Sequence, residues 1–321
     1  MNILDAGGVH RLLDYPGLVE ALRAAHRDEA MPPASFTVTN EPRDGPNTFV
    51  SLVAWAYQDL IAVKLVGVFP GNLALPVPEP SVQGLVALFS GRTGAPLFAC
   101  DGAALTFRKT AADSALGAAC LARRDAEVLL VVGAGGLAPH VAMAHASVRP
   151  IRRILIWNRT LARAEAVARE LARPGIAAEA VSDLDTAVAE ADIVSCVTMA
   201  TAPLVRGALL RPGTHVDLVG AYRPEMREAD DDVVRRARLF VDTRNGCDRS
   251  GDIRQPIERG LITLDSIEAD LFDLCSGRHA GRGSPEEITM YKNNGGAHLD
   301  LFTARHLMRR AGREAGPAPA G

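Results

Sequence analysis

The chain lacks an excess of charge of either sign. Its 35 Lys and Arg stand against 38 Asp and Glu, interspersed along the sequence, for a formal net charge of -3. Nucleic acid and anionic membranes are held by basic patches, so neither is an expected partner. Long uncharged apolar runs are missing too, none reaching the roughly 18 residues of a membrane span. The opening Met1-Asn2-Ile3-Leu4-Asp5 has neither the basic region nor the apolar stretch of a secretory signal, and a cytoplasmic protein is expected. Cysteine is sparse: Cys100, Cys120, Cys196, Cys247 and Cys275 are odd in number, far apart and form no Cys-x-x-Cys pair. Neither a disulfide framework nor a zinc site is signalled, and no metal is expected. Cys196, inside Ile193-Val194-Ser195-Cys196-Val197, reads as core packing, since no activating base adjoins it. Aromatics make up only 5% of the chain while 48% is hydrophobic, the balance of an Ala-, Val- and Leu-rich α/β protein.

A length of 321 residues exceeds one ordinary core, and two domains with a cleft between them are expected. The first thirty residues predict one amphipathic helix, Tyr15 to Arg27, with Leu18, Val19, Leu22 and Ala25 at helical spacing. From Phe36 to Cys100, short apolar runs bounded by Gly, Pro and Asp predict a sheet with hairpin-like connections: residues 49–53, 61–66 and 84–89. A helix over Leu105 to Arg123 follows. Strands at 128–132, 153–157, 193–198, 215–218 and 239–241 then alternate with helices, the pattern of βαβ units and a parallel sheet. The last quarter reads as looser, with a surface loop at Gly277 to Gly283, a final helix over Leu299 to Arg310 and a disordered tail after Gly312.

The run Val128 to Val132 ends in Gly133-Ala134-Gly135-Gly136-Leu137-Ala138, and an apolar helix follows. A strand, a glycine turn and a helix in that order make a dinucleotide fingerprint. Gly133 permits the tight turn, Gly135 lets backbone approach a pyrophosphate, and Ala138 allows close helix–strand packing. The pyrophosphate would sit at the helix start, over Gly133, Ala134, Gly135, Gly136 and Leu137. The second strand ends Asn158-Arg159-Thr160, with no carboxylate for a ribose 2'-hydroxyl. Arg159 and Thr160 suit a 2'-phosphate, so NADP(H) is preferred and NAD(H) possible; Asn158 or Thr160 can equally cap the next helix. Thr198 and Met199, then Val219 and Gly220, follow later strands at the carboxyl edge, where open α/β sheets bind ligands, and are expected around the nicotinamide.

By spacing alone, Lys64 in Ile61-Ala62-Val63-Lys64-Leu65-Val66 is a lysine on the wet face of an edge strand. Its setting changes that reading. Met31-Pro32, Lys64, the segment Leu105-Thr106-Phe107-Arg108-Lys109-Thr110-Ala111-Ala112, the glycine fingerprint, Trp157 to Thr160, Val219 to Pro224 and Lys292 to Asp300 together resemble the ornithine cyclodeaminase/mu-crystallin family. The resemblance covers nearly the whole chain. It implies an α/β protein in which a Rossmann dinucleotide-binding domain, residues 119–289, is inserted in a second α+β substrate and dimerisation domain, residues 1–118 plus 290–321, with a homodimer as the assembly.

The resemblance also assigns roles. Lys64 falls where the family places its active-site lysine, as proton donor or electrostatic anchor. Lys109 aligns with an arginine that grips the substrate carboxylate; lysine keeps the charge but loses the bidentate fork, unless Arg108 substitutes. Ala34 stands where many members carry a second carboxylate-binding arginine. Thr110 and Gly295 join the expected cofactor contacts. His298, at a helix start, is either a ligand contact or a structural histidine, and Asp300 reads as a helix-side residue. Tyr222 occupies the neighbourhood in which cyclodeaminases carry an aspartate, whereas ketimine reductases share the Arg223-Pro224 pattern. The implied activity is NAD(P)H-dependent reduction of a small α-imino acid, such as pyrroline-2-carboxylate, piperideine-2-carboxylate or iminosuccinate, to an L-amino acid. The alternatives are a cyclodeaminase, an alanine-type dehydrogenase and a non-catalytic binder.

Overall fold

The structure, a computed structural model, describes residues 2–314. Short strand β1 (Asn2–Leu4) leads into helices α1 (Ala6–Leu12) and α2 (Tyr15–Asp28). Four antiparallel strands follow, β2 (Ala34–Asn40), β3 (Thr48–Trp55), β4 (Leu60–Val68) and β5 (Val82–Ser90), then β6 (Pro96–Asp101) and helix α3 (Gly102–Leu121). Next come β7 (Val128–Val132), α4 (Ala138–Val148), β8 (Arg153–Trp157), α5 (Leu161–Leu171), β9 (Ala177–Val181), α6 (Leu184–Glu190), β10 (Ile193–Cys196) and β11 (His215–Leu218). The chain continues through α7 (Asp231–Arg236), β12 (Ala237–Val241), α8 (Gly251–Glu258), β13 (Ile267–Ala269), α9 (Leu271–Ser276), β14 (Ile288–Lys292) and α10 (Ala297–Glu314).

Two compact units result. One comprises the chain up to Ala25, Glu29–Lys109 and the segment from Gly296; the other comprises Thr110–Gly295 with His26–Asp28. The first holds a six-stranded sheet in the order β1-β6-β5-β4-β3-β2, antiparallel except for the β1–β6 pair. Alternation along β4 sends Leu60, Ala62 and Lys64 to one buried face, and α10 covers that face across β3, β4 and β5. Asp300 faces β4 from α10, and Leu299, Leu301, Phe302 and Leu307 are among the buried apolar residues of that helix. Asp14 starts α2 by accepting the Gly17 N–H at 2.8 Å, with Pro16 in the first turn.

The second unit is a parallel sheet in the order β13-β12-β14-β11-β10-β7-β8-β9. Numbered from β7, its run β9-β8-β7-β10-β11 is the 3-2-1-4-5 part of a Rossmann order; β14, the last strand of the chain, takes the next place, and β12 and β13 lie beyond it. Leu130, Val132, Leu155, Val194, Cys196, Val216, Leu218 and Met290 form its core, and burial pushes the Cys196 thiol well up, as packing rather than nucleophilic chemistry requires.

The expected α/β class holds, with three corrections. The first thirty residues contain two helices and a strand, because Asp5 caps a short α1 by accepting the Gly8 N–H at 2.8 Å. The last quarter is not loose: α8, α9, β13 and the wholly buried β14 lie there, while the loop from Gly277 and the final helix, within α10, are as expected. The units part at Lys109/Thr110 and Gly295/Gly296, not after residues 118 and 289. The physical reason is that the second half of α3 is tied to the parallel sheet, Ser114 donating to Asp217 at 2.9 Å and Tyr291 to Asp113 at 3.1 Å, while β14 is itself a strand of that sheet. Helix α10 extends to Glu314, two residues past the Gly312 at which the tail was expected to start, and residues 315–321 lie outside the described residues.

Candidate functional site

In the first unit Lys64 is on β4, an interior strand, and only 6% exposed, so the wet edge-strand reading fails. Its ammonium meets the Asp300 carboxylate at 3.0 Å from Oδ1 and 2.9 Å from Oδ2. Lys109 reaches Asp300 Oδ1 at 3.2 Å and donates to the Gly296 carbonyl at 3.4 Å. All three side chains are buried. Burial, reinforced by the positive Lys109 and opposed by Asp300, lowers the Lys64 pKa to about 8. Burial works in the other direction on Asp300, yet the ammonium groups of Lys109 and Lys64 hold its carboxyl below the ordinary range. Asp300 sits in the first turn of α10, where the helix dipole also favours a carboxylate.

Lys109, not Arg108, is thus brought to Lys64. Adjacent helix residues point some 100° apart. Arg108 turns to α1 and α2, donating to His10 Nδ1 at 3.1 Å and the His10 carbonyl at 3.0 Å, with its guanidinium 4.6 Å from the centre of the Tyr15 ring. His298 is buried, edge-on to Phe302 with ring centres 5.9 Å apart. Asp300, read from the sequence as an ordinary helix-side residue, is the group that sequence reasoning missed. The available signal was electrostatic: once the resemblance brings Lys64 and Lys109 to one site, two neighbouring ammonium groups call for a carboxylate.

In the second unit the glycine turn has the form the fingerprint requires. Gly133 adopts φ 114°, and a Cβ there would come within 2.8 Å of the Val197 carbonyl oxygen. Gly135 faces open space, with nothing within 4 Å of a built Cβ, and Ala138 is fully buried at the start of α4. The turn therefore fits a pyrophosphate approached by backbone N–H groups. At the end of β8, Arg159 and Thr160 are exposed; Asn158 donates to the Thr160 carbonyl at 3.0 Å, and Thr160 is the N-cap residue of α5 without a side-chain capping bond. Thr198 and Gly220 are joined through one carboxylate, Glu228, which accepts from Thr198 N and Oγ1 at 2.7 and 2.9 Å and from Gly220 N at 2.7 Å. Burial and neighbouring Asp252 push the Glu228 carboxyl up to about 8, against the pull of Lys292. Met199 is 72% exposed beside them, and Val219 is half-buried. The Thr110 carbonyl accepts from Asn293 at 3.0 Å, and Gly295 turns at φ 70° just after β14.

The sequence profile of the ornithine cyclodeaminase/mu-crystallin family matches residues 10–314. The chain belongs to this family. It is similar to a Delta(1)-pyrroline-2-carboxylate reductase of Paracoccus denitrificans, 42% identical over 313 residues that cover 96% of each chain. Among solved structures it resembles the Thermococcus litoralis Delta(1)-pyrroline-2-carboxylate reductase in complex with NADH and L-proline, with a TM-score of 0.90, 30% identity and 98% of each chain covered. It also resembles the iminosuccinate reductase of Paracoccus denitrificans in complex with NAD+, with a TM-score of 0.88, 26% identity, and 98% of this chain and 97% of that one covered.

This ornithine cyclodeaminase/mu-crystallin chain departs from the implied pattern at two further positions, one in each unit. Ala34 opens the exposed edge strand β2, opposite Ala54. Tyr222 is 52% exposed, with the Arg223 guanidinium 5.4 Å from its ring centre. No described helix is long and apolar enough to cross a membrane.

Proposed function

We propose that the protein is a nicotinamide-dinucleotide-dependent reductase of a small α-imino acid, acting on a monocarboxylate such as pyrroline-2-carboxylate or piperideine-2-carboxylate to give the L-amino acid. The observation that carries this reading is the charge count around Asp300. Two buried ammonium groups share a single carboxylate, leaving one formal positive charge in a buried setting. Such an imbalance is costly alone and is relieved by one bound carboxylate. A dicarboxylate such as iminosuccinate brings a second negative charge for which this cluster holds no further cation.

When bound, the reduced dinucleotide supplies a hydride to the imine carbon. Lys109, held against the Gly296 carbonyl and Asp300, anchors the substrate carboxylate. Lys64, its pKa brought to about 8, donates the proton that the nitrogen takes as C=N becomes CH–NH. Asp300 keeps Lys64 protonated near neutral pH, and Lys64 regains its proton from solvent between turnovers.

We further assign the cofactor as NADP(H), with NAD(H) accepted, because Arg159 and the uncommitted Thr160 hydroxyl stand where a carboxylate would favour NAD(H). The apolar sheet face opposite Lys64, which exposes Ile3, Phe49 and Leu85 at 68, 47 and 37%, supports a homodimer formed through that face. The buried thiols of Cys100, Cys196 and Cys247 suit the reducing cytoplasm.

The test is oxidation of NADPH and NADH by the purified protein against both cyclic imines, iminosuccinate, and pyruvate or glyoxylate with amines. Oxidation that needs a monocarboxylate imine and disappears in Lys64→Ala supports the reading. Ammonia release from ornithine without dinucleotide oxidation overturns it in favour of a cyclodeaminase.

A further inference from the structure

The reaction read above leaves a buried carboxylate of the Rossmann unit unused. Glu228 is fully buried, and both of its oxygens are committed to two separate loops, Oε1 to Thr198 and Oε2 to Gly220. Thr198 follows β10 and Gly220 follows β11, neighbouring parallel strands, so one side chain fastens two adjacent loops at the carboxyl edge of the sheet. These loops are in close contact: a Cβ on Gly220 would fall 1.7 Å from the Thr198 carbonyl oxygen. Glu228 is itself anchored, its N–H donating to Asp252 Oδ1 at 2.9 Å, while Asp252 Oδ2 lies 3.5 Å from the buried Lys292 ammonium at the end of β14.

We infer that Glu228 is a positioning residue for the nicotinamide end of the dinucleotide, holding the Thr198 and Gly220 loops in the one arrangement that receives it. The inference rests on the dinucleotide reading of this sheet edge. Only a carboxylate satisfies the geometry, because three donors converge on its two oxygens. A glutamine in its place offers one acceptor and one donor, so that either Thr198 or Gly220 faces an N–H group instead of an oxygen. The pyrophosphate cradle at Gly133 to Leu137 belongs to β7 and α4 and makes no hydrogen bond to Glu228 among the described residues.

Binding of a whole dinucleotide and of its nicotinamide-free part separates positioning from general structural support. Calorimetric titration of the full chain at pH 9, above the value of about 8 to which the Glu228 carboxyl is raised, uses NADPH and NADH, each paired with its fragment, 2'-phospho-ADP-ribose or ADP-ribose. Glu228→Gln is expected to weaken the dinucleotide about tenfold while leaving the fragment within about twofold, the loss of roughly one charge-assisted hydrogen bond at the nicotinamide end. Thr198→Val, which removes the hydroxyl that donates to Glu228 and accepts from the Ala200 N–H at 3.3 Å and remains usable if Glu228→Gln does not fold, is expected to shift the same ratio in the same direction by a smaller factor. An unchanged ratio of dinucleotide to fragment affinity in both variants overturns the inference and leaves the dinucleotide reading intact. Failure of the wild-type chain to bind either fragment overturns that reading and this inference with it.

Discussion

Replacing Asp300 with asparagine removes the single negative charge between two buried ammonium groups and alters little in volume. Lys64 lies 2.9 Å and Lys109 3.2 Å from the carboxylate oxygens. Taking charge centres about 4 Å apart and an effective dielectric constant near 20, each attraction amounts to about 4 kcal/mol, or about 3 pKa units. Lys64, whose pKa is about 8 with Asp300 in place, would then fall to about 5 and lose its proton at neutral pH. The readout is the pH dependence of kcat/KM for a cyclic imine, which reports groups of the free enzyme. In the wild type the rate should decline as pH rises through about 8, because the protonated form of Lys64 is the donor. In Asp300→Asn the decline should begin 2 to 3 units lower, leaving activity at pH 7 reduced on the order of a hundredfold. Urea unfolding at pH 7 should show a loss of about 3 kcal/mol, since an unpaired buried cation remains. A variant whose alkaline limb stays near pH 8 would refute the reasoning, for it would mean that Lys64 is not the titrating donor or that Asp300 does not set its charge.

Other outcomes follow from the same structure. Lys64→Met should abolish turnover without lowering stability at pH 7 and should raise it by up to about 3 kcal/mol in urea unfolding, because the folded state no longer buries a second ammonium. The sign is set by a folded pKa of about 8 against a model-peptide value of 10.5: this lysine costs stability below pH 8, and the wild type regains it as pH rises from 8 to 10.5, where only the unfolded chain holds the proton. Gly133→Ala forces a side chain into φ 114° against the Val197 carbonyl, and thermal unfolding should show a loss of about 1–3 kcal/mol together with weaker dinucleotide binding. Arg159→Ala should reduce NADPH affinity about tenfold and leave NADH nearly unchanged, measured as the ratio of their dissociation constants.

Much of the Rossmann unit was legible before any coordinates because its signals are local. Val128 to Val132 is a buried strand by composition, and Gly133, Gly135 and Ala138 meet their steric tasks within a few residues of chain. The missing carboxylate after β8 was likewise open to inspection. Lys64 was a different case. Its spacing described an exposed lysine, and only the resemblance of distant segments raised it to a functional residue.

What made Lys64 a buried group was decided in three dimensions, since its partner Asp300 is 236 residues away along the chain. The same holds for β14, which enters between β11 and β12 after a long excursion, and for Glu228, whose bonds join loops following two strands. The sequence by itself determined where strands and helices alternate, the glycine turn and the types of charge available. Tertiary structure decided which charges meet, which are buried and which of two neighbouring basic residues, Arg108 or Lys109, reaches the lysine on β4. Short-range order follows from steric and hydrogen-bonding preferences carried by each residue, whereas the energy of a buried charge depends on what the rest of the chain places beside it.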